Sequence, residues 1–290
     1  MNEQRSMIAA DGVGLAYWLS RPATEDDRTL VLLHGAASNH TRWSEFVEHT
    51  WLTESWNVLA PDLRGNGESM VRGGQSCARW ARDVVAMLDA EGLPAAVVVG
   101  HSLGAQIAIH LAHRYPERVR GLVLIDPLFP RGLRGKQRRL WQVRWLVRAV
   151  RALIRALNAM GIRRRTIPNR DIRRLDEQTR EALQGAESFE EIAKRYTSLR
   201  PILGSLPTAN YLGQLIATVS PLPPLSEIEV PVAVLLSGST TLADSEINRE
   251  EVARFPNSEV ITLPANHWPL TEAPDATREA IEGWIERTEV

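Results

Sequence analysis

Short apolar runs alternate along the first half of the chain with segments in which apolar positions recur every three or four residues. That alternation of buried strand and amphipathic helix builds a mostly parallel α/β sheet flanked by helices. Residues 7–19, broken by Asp11-Gly12, read as an opening hairpin, and residues 29–33 as a strand ending in His34-Gly35-Ala36-Ala37-Ser38. Residues 42–56 carry helical spacing. Residues 57–60 form a short strand leading into Pro61-Asp62-Leu63-Arg64-Gly65-Asn66-Gly67-Glu68-Ser69. Residues 77–91 are helical and stop at Gly92, a residue that closes helices by adopting positive φ. A strand over 95–99, a helix ending near Tyr115-Pro116 and a strand over 121–125 closed by Asp126-Pro127 follow.

The alternation then stops. Residues 129–224 carry no buried-strand pattern and read as helices broken at Gly161, Pro168, Gly185, Pro201 and Pro207. Strands resume at 230–236 and 259–263, separated by a helix over 246–255 and followed by a last helix near 275–287. The expected organisation is a core of residues 1–128 plus 225–290, split by an all-helical insertion over 129–224.

Gly100-His101-Ser102-Leu103-Gly104 lies between the strand at 95–99 and the helix that follows. A chain that turns sharply from strand to helix forces its central residue into strained backbone angles, and glycines two before and two after let strand and helix approach without Cβ clashes. Ser102 therefore reads as a nucleophile exposed at a sheet edge above a helix N-terminus.

Together with His34-Gly35, the segment Pro61 to Ser69 and a histidine near the C-terminus, this elbow resembles the α/β-hydrolase fold family over nearly the whole core, with the motifs in the family's order. Asn66 stands where that family usually has His or Tyr. The resemblance implies that the helical insertion is the family's cap.

A serine hydroxyl needs a neighbouring base to take its proton as it attacks. His34 and His101 belong to motif loops, and His40, His49, His110 and His113 fall in helical patterns. His267, in a loop between the last strand and the last helix, is the candidate base, and the order Ser, acid, His of this fold makes it the last member. The elbow supplies the N–H of Leu103 as an oxyanion donor, and the family pattern implies that of Ala36 as the second. The acid departs from the pattern. Most relatives place it three residues after a glycine such as Gly238, but that position is Thr241, which carries no carboxylate. Two aspartates compete. Asp244 precedes a helical pattern and serves equally well as its N-cap. Asp126 ends the strand beside the elbow strand, where some hydrolases of this fold, pancreatic-type lipases among them, carry the acid before a proline; its plain alternative is a turn residue held extended by Pro127. Asp126 is favoured because a strand end holds a carboxylate more rigidly than a loop.

Composition narrows the setting. At 290 residues, 44% hydrophobic and 24% charged, the chain is an ordinary globular size for one α/β domain with an insertion. Its single cysteine, Cys77, excludes an internal disulfide and points to a reducing, cytoplasmic setting. Residues 1–20 lack a continuous apolar core, so no secretory signal is expected. No cofactor and no metal are expected, since no cluster has ligand spacing.

The net charge of −1 hides a strong asymmetry: residues 131–174 carry fifteen Lys or Arg against one acid, Asp171. Within that segment Arg144, Arg148, Arg151 and Arg155 share one helical stripe, with Trp141, Trp145, Val147, Val150, Ile154 and Leu157 around it. The plain expectation is a helix that buries its apolar face over the active-site mouth and solvates its arginines. Two sharper readings stand beside it, steering of an acidic substrate and contact with an anionic membrane, the latter not favoured. Nucleic acid is not expected as a partner.

The chain thus reads as a cofactor-independent serine hydrolase cleaving an ester, thioester or related acyl bond of a small-molecule substrate, acidic or carrier-bound substrates included. A non-hydrolytic lyase, cyclase or acyltransferase would share every motif. A catalytically idle binding protein is the third reading, given the off-pattern acid.

Overall fold

Continuous Val, Leu and Ala runs suit strands that are covered on both faces, and the chain uses them for that purpose. The computed structural model describes residues 3–23, 27–184, 189–238 and 244–290. Its strands are β1 (Glu3–Ile8), β2 (Gly14–Ser20), β3 (Thr29–Leu33), β4 (Asn57–Pro61), β5 (Ala96–His101), β6 (Val119–Ile125), β7 (Val232–Ser237) and β8 (Ser258–Leu263). They form one eight-stranded sheet in the order β1-β2-β4-β3-β5-β6-β7-β8. The β1–β2 and β2–β4 pairs are antiparallel, and every other pair is parallel.

Helices α1 (Ser44–His49), α2 (Cys77–Ala90) and α3 (Leu103–Arg114) lie in the first half, and α9 (Ser245–Val252), α10 (Pro269–Glu272) and α11 (Pro274–Thr288) in the last quarter. Between β6 and β7 come α4 (Gly135–Ala159), α5 (Ile172–Gln184), α6 (Phe189–Thr197), α7 (Leu199–Ser205) and α8 (Thr208–Thr218).

The period of two sorts the strand residues onto two cores. Val31, Leu33, Val98, Leu122, Leu124 and Val234 face the layer of α2 and α3, packed with Trp80. Leu30, Leu32, Val97, Val99, Val123 and Leu235 face the opposite layer with Trp43, Trp56 and Trp284. All residues of β3, β4, β5 and β7 are buried, whereas β1 is largely exposed at the sheet edge. A parallel sheet sandwiched in this way presents its ligand-binding end where the strands finish.

Three local readings need correction. Residues 42–56 do not form one helix. Thr50 turns extended after α1, its hydroxyl caps the Leu52 N–H and donates to Glu282 Oε1 on α11 at 2.7 Å, so two short turns flank α1 instead. Pro201 does not break a helix. It is the third residue of α7, where an N–H has no intrahelical acceptor and its loss costs nothing. Gly185, another expected break, lies outside the described residues.

The third concerns α4. Its half-buried stripe is mixed, with Leu140, Arg144, Val147, Arg151 and Ile154 turned towards the body, and no residue of the helix is fully buried. Arg151 donates to the Ala209 carbonyl at 3.0 Å and to Gln75 Oε1 at 3.1 Å. The arginine stripe therefore serves partly for docking, and much of the apolar surface stays outside.

Replacing Gly104 with Ala is expected to lower stability by about 1–3 kcal/mol, because overpacking forces backbone to move, and a Cβ there would sit 2.2 Å from the Leu33 carbonyl oxygen. Gly204→Ala, in α7 with nothing within 4 Å of its Cβ position, is the control and should be neutral or slightly stabilising. Urea unfolding of the two variants measures the contrast.

Candidate active site

The site is assembled at the ends of β5, β6, β7 and β8. At the first of these, Ser102 follows β5 with φ 52° and ψ −109°. That conformation belongs to glycine-like space and persists only where surroundings over-determine it. Here they do: a Cβ on Gly100 would lie 2.4 Å from the Gly104 backbone, and the Ser102 N–H donates to the Ile125 carbonyl at 2.9 Å, continuing the β5–β6 ladder. The hydroxyl is thereby held at the N-terminus of α3.

His267 lies in the loop after β8. Its Nε2 is 3.2 Å from Ser102 Oγ, and its Nδ1 is 3.4 Å from Asp126 Oδ2. The loop is fixed from both sides. Glu272 of α10 accepts from the Asn266 N–H, the Asn266 amide and the Trp268 N–H at 2.8, 2.8 and 3.1 Å. His101 donates its Nε2–H to the His267 carbonyl at 2.8 Å.

Asp126 stands one residue beyond β6 with φ 44°, against the extended bias that a following proline imposes. Its N–H donates to the Leu235 carbonyl at 2.9 Å, extending the β6–β7 ladder, so the carboxylate projects from a sheet edge. Oδ1 accepts from the Ser237 N–H at 2.8 Å, and the Ser237 hydroxyl touches both Oδ2 and the Asn266 carbonyl. A buried carboxylate with several donors keeps its charge at lower cost than an unpartnered one.

Leu103 follows the serine, and Ala36 lies in the loop after β3. Leu103 opens α3, so its N–H has no intrahelical acceptor. Ala36 precedes Ala37, whose φ is 52° and whose N–H donates to Gln214 Oε1 of α8 at 2.7 Å. The other end of the same amide donates to Asn66 Oδ1 at 2.8 Å. One turn earlier, Asn210 donates to the Gly65 and Val71 carbonyls at 3.2 and 2.7 Å and accepts from the Gly73 N–H at 3.1 Å. The inserted helix α8 thus grips the two loops that follow β3 and β4. Asn66, off-pattern in the sequence, is the residue that receives it.

The loop after β4 is organised by its own aspartate. Asp62 accepts from the His40 N–H, His40 Nδ1 and the Glu68 N–H at 2.8, 2.8 and 2.7 Å. Gly67 leaves room for that carboxylate, since a Cβ there would lie 1.9 Å from Asp62 Oδ2.

Two ring nitrogens are locked neutral. Burial pushes His101 down to about 3, and the His267 ring beside it acts in the same direction. Burial likewise holds His34 at about 4. His34 donates through Nδ1–H to the Gly35 carbonyl at 2.8 Å and accepts the Leu63 N–H on Nε2 at 3.1 Å, so a second ring proton would face a donor. The Cys77 thiol is pushed up to about 12 by burial, which removes it as a nucleophile at neutral pH.

Ser102, His267 and Asp126 are therefore brought together, with Leu103 at the start of α3 and Ala36 in the loop after β3. Asp244 is engaged elsewhere: it is the N-cap of α9, accepting the Glu246 and Ile247 N–H groups at 3.0 and 3.2 Å, and it pairs with Arg134. Thr241 lies outside the described residues. Ser237, Gln214, Asn210 and Glu272 were silent in the sequence, because single polar residues at strand ends or on helices carry no periodic signal.

A second buried network locks the insertion to the His267 loop. Arg42 pairs with Asp176 of α5 at 2.5 Å and donates to Thr271 Oγ1 at 2.8 Å, and Tyr196 of α6 donates to the same Asp176 oxygen at 2.7 Å. Tyr196 stacks on Trp268, the neighbour of His267, with ring centroids 4.8 Å apart. Beside the Ala36 loop, Ser38, Asn39, Asn66, Asn169 and Arg170 line a small polar cleft. Ser38 Oγ is buried there without a hydrogen-bond partner, and Arg170 has no carboxylate within ion-pair distance among the described residues. Among those residues no three His, Cys, Asp or Glu side chains are grouped to hold a metal ion.

Residues 28–274 match the family profile of the α/β hydrolase fold. An uncharacterised protein of Mycobacterium tuberculosis is 37% identical over 101 residues, which are 33% of this chain and 28% of that protein, so the match spans little more than a quarter of its length. An sn-1-specific diacylglycerol lipase of Mus musculus is 26% identical over 279 residues, covering 92% of this chain and 85% of that one. Among solved structures, a thermophilic esterase from Thermogutta terrifontis superposes with a TM-score of 0.70 at 21% identity, covering 99% of this chain and 100% of that one.

Gln214→Leu strands the half-buried Ala37 N–H and the buried Asn66 side-chain carbonyl, and is expected to cost about 1–3 kcal/mol in unfolding measurements. The buried histidines set a pH dependence. Well above their ordinary value of 6.5 the rings of both folded and unfolded chains are neutral; as pH falls through it the unfolded chain takes up protons that His34 and His101 refuse until about 4 and 3. Stability should therefore fall as pH drops through this window. A urea midpoint that stays flat between neutral and mildly acidic pH would contradict neutral burial.

Proposed function

The chain belongs to the α/β-hydrolase fold family, and on that premise we propose that it is a serine hydrolase cleaving a carboxylic ester, thioester or related acyl bond through Ser102, His267 and Asp126. The observation that carries this reading is the pair of contacts made by one imidazole, Nε2 to Ser102 Oγ at 3.2 Å and Nδ1 to Asp126 Oδ2 at 3.4 Å. A base must reach the proton it abstracts and be oriented by a third group, and empty sites commonly hold such contacts slightly long.

In this mechanism the Ser102 oxygen attacks the substrate carbonyl while its proton passes to His267 Nε2. Asp126 keeps the Nδ1 proton in place and stabilises the imidazolium. The carbonyl oxygen becomes an oxyanion received by the N–H groups of Ala36 and Leu103. His267 returns the proton to the leaving group. Water, deprotonated by the same nitrogen, then releases the acyl group from Ser102. His101 stays outside proton transfer, since it is neutral and its Nε2–H is committed to the His267 carbonyl.

Asp126 is preferred to Asp244 as the acid for a physical reason. The Asp244 carboxylate is occupied by a helix cap and Arg134. Hydrolysis is preferred to a lyase or transferase outcome because the mouse relative, aligned over most of both chains, is named a lipase. In this reading residues 129–224 form the cap.

A fluorophosphonate probe should label the wild type and not Ser102→Ala; a well-folded wild type that is not labelled would favour a binding protein. Asp126→Asn should lower kcat by roughly 10³–10⁴-fold, the scale seen when a triad acid loses its charge, whereas Asp244→Asn should keep near-normal turnover. The reverse ranking would move the acid to Asp244.

A further inference from the structure

The surface of α4 departs from that of an ordinary solvent-facing helix. Six of its large apolar side chains, Trp141, Val143, Trp145, Leu146, Val150 and Leu153, are exposed, with Trp145 at 67%, Leu153 at 61% and Leu146 at 48% of full accessibility. Helical periodicity spreads them over the arc outside the stripe of Leu140, Val147, Arg151 and Ile154, with Trp145, Leu146 and Leu153 facing away from it and Trp141, Val143 and Val150 on its flanks; α4 packs on α8. Met160 and Ile162, just beyond the helix end, are exposed at 69% and 64%. Elsewhere among the described residues such exposure is scattered singly, at Ile8 and Leu199. A contiguous apolar patch of this extent on a globular chain marks a binding surface.

The charge around the patch identifies what it binds. The segment 131–174 carries fifteen Lys or Arg and one acid, in a chain of net charge −1. Arg148 borders the apolar arc beside Trp141, Arg138 and Arg139 fall within the arc near the start of the helix, and Lys136 is exposed on the same helix. Arg138, Arg139 and Arg148 have no carboxylate partner among the described residues. A second copy docking through this face would bring like charge against like charge. A folded partner or a nucleic acid would match one half of the chemistry, the apolar arc or the charge. An anionic lipid surface matches both, since it offers negative headgroups directly above an apolar layer. Tryptophan is at home at that boundary, and arginine stems can lie along acyl chains while their heads reach the phosphates.

We propose that α4 is an interfacial helix that lays the exposed Trp141–Leu153 face into an anionic membrane surface, flanked by arginines. No helix among the described residues is long and apolar enough to cross a membrane, so this contact is peripheral. It is coupled to the candidate site through one helix. α4 packs on α8, and α8 carries Gln214 and Asn210 onto the loops after β3 and β4. The proposal goes beyond the hydrolase reading and stands without it, because binding can be read in the absence of turnover.

The test is cosedimentation of the full chain with vesicles of phosphatidylcholine alone and of phosphatidylcholine with phosphatidylglycerol. Binding is expected to the anionic vesicles only, and to weaken on raising salt, since each basic residue near such a surface contributes about fivefold in affinity. Leu146→Glu with Leu153→Glu should reduce the bound fraction at least tenfold, and charge reversal at Arg138, Arg139 and Arg148 should do the same, by roughly the sum of the lost contributions. Both variants should hydrolyse a soluble p-nitrophenyl ester as the wild type does, which shows that they are folded. Ser102→Ala should bind vesicles normally, so a failure of the hydrolase reading and a failure of this one are told apart. No binding to anionic vesicles at low salt would overturn the proposal. So would a dimer in light scattering that the Leu146→Glu, Leu153→Glu variant dissociates, since the patch would then be a self-association surface.

Discussion

No side chain fits where β5 meets α3. A Cβ on Gly100 or Gly104 would penetrate backbone atoms at 2.4 and 2.2 Å, and this close approach puts Ser102 into its strained geometry at the helix N-terminus. Everything else at the candidate site is referenced to that turn through the sheet. The Ser102 N–H extends the β5–β6 ladder and the Asp126 N–H extends the β6–β7 ladder, so the hydroxyl and the carboxylate project from neighbouring strand ends. Positive φ at Ala37, Ser102 and Asp126 marks three loops of one site, and outside them Glu289 at the chain end is the other such non-glycine residue described.

Around that frame lies a shell of buried polar groups that have found partners. Asp126 is held by Ser237, the His267 loop by Glu272 and His101, and the Ala36 loop by Gln214. Buried polar groups of this kind are costly when unpaired and specific when satisfied. Removing one is therefore expected to disturb position as well as stability. The neutrality of His101 belongs to the same logic, because a charged ring beside His267 would compete for the field of Asp126.

The inserted helices are tied to this shell at two points. Gln214 and Asn210 hold the loops after β3 and β4, while Asp176 and Tyr196 hold Arg42, Thr271 and Trp268 beside His267. Breaking one partner of the buried Arg42–Asp176 pair would leave an uncompensated charge, so the pair specifies where the helices sit more than it adds stability. Helix α4 rests on this platform and turns its apolar surface outwards, which gives the two layers different tasks. The inner layer holds the loops of the site, and the outer one carries the surface proposed to meet an anionic membrane.

How much of this was legible depended on distance along the chain. The elbow could be read because its requirements, a strand, two glycines and a helix, fall within contiguous residues. His267 could be read from its place between a strand and the last helix. The acid could not be settled, since Asp126 and Asp244 both follow parallel strands; adjacency of β6 and β7 sets Asp126 beside His267, while a helix cap and Arg134 claim Asp244. Periodicity found the apolar positions of α4 but not which of them meet the body, since Val147, Ile154 and Leu157 turn inwards and Trp141, Trp145 and Val150 outwards; a repeat of three to four defines a face without saying what it meets. Local sterics and alternation, then, are written in the sequence by itself: strand order, the strained serine turn and the helical insertion. Which carboxylate reaches the imidazole, which single polar residues hold the loops and which way a helix turns were decided only by contacts between residues far apart in the chain, where no local rule operates.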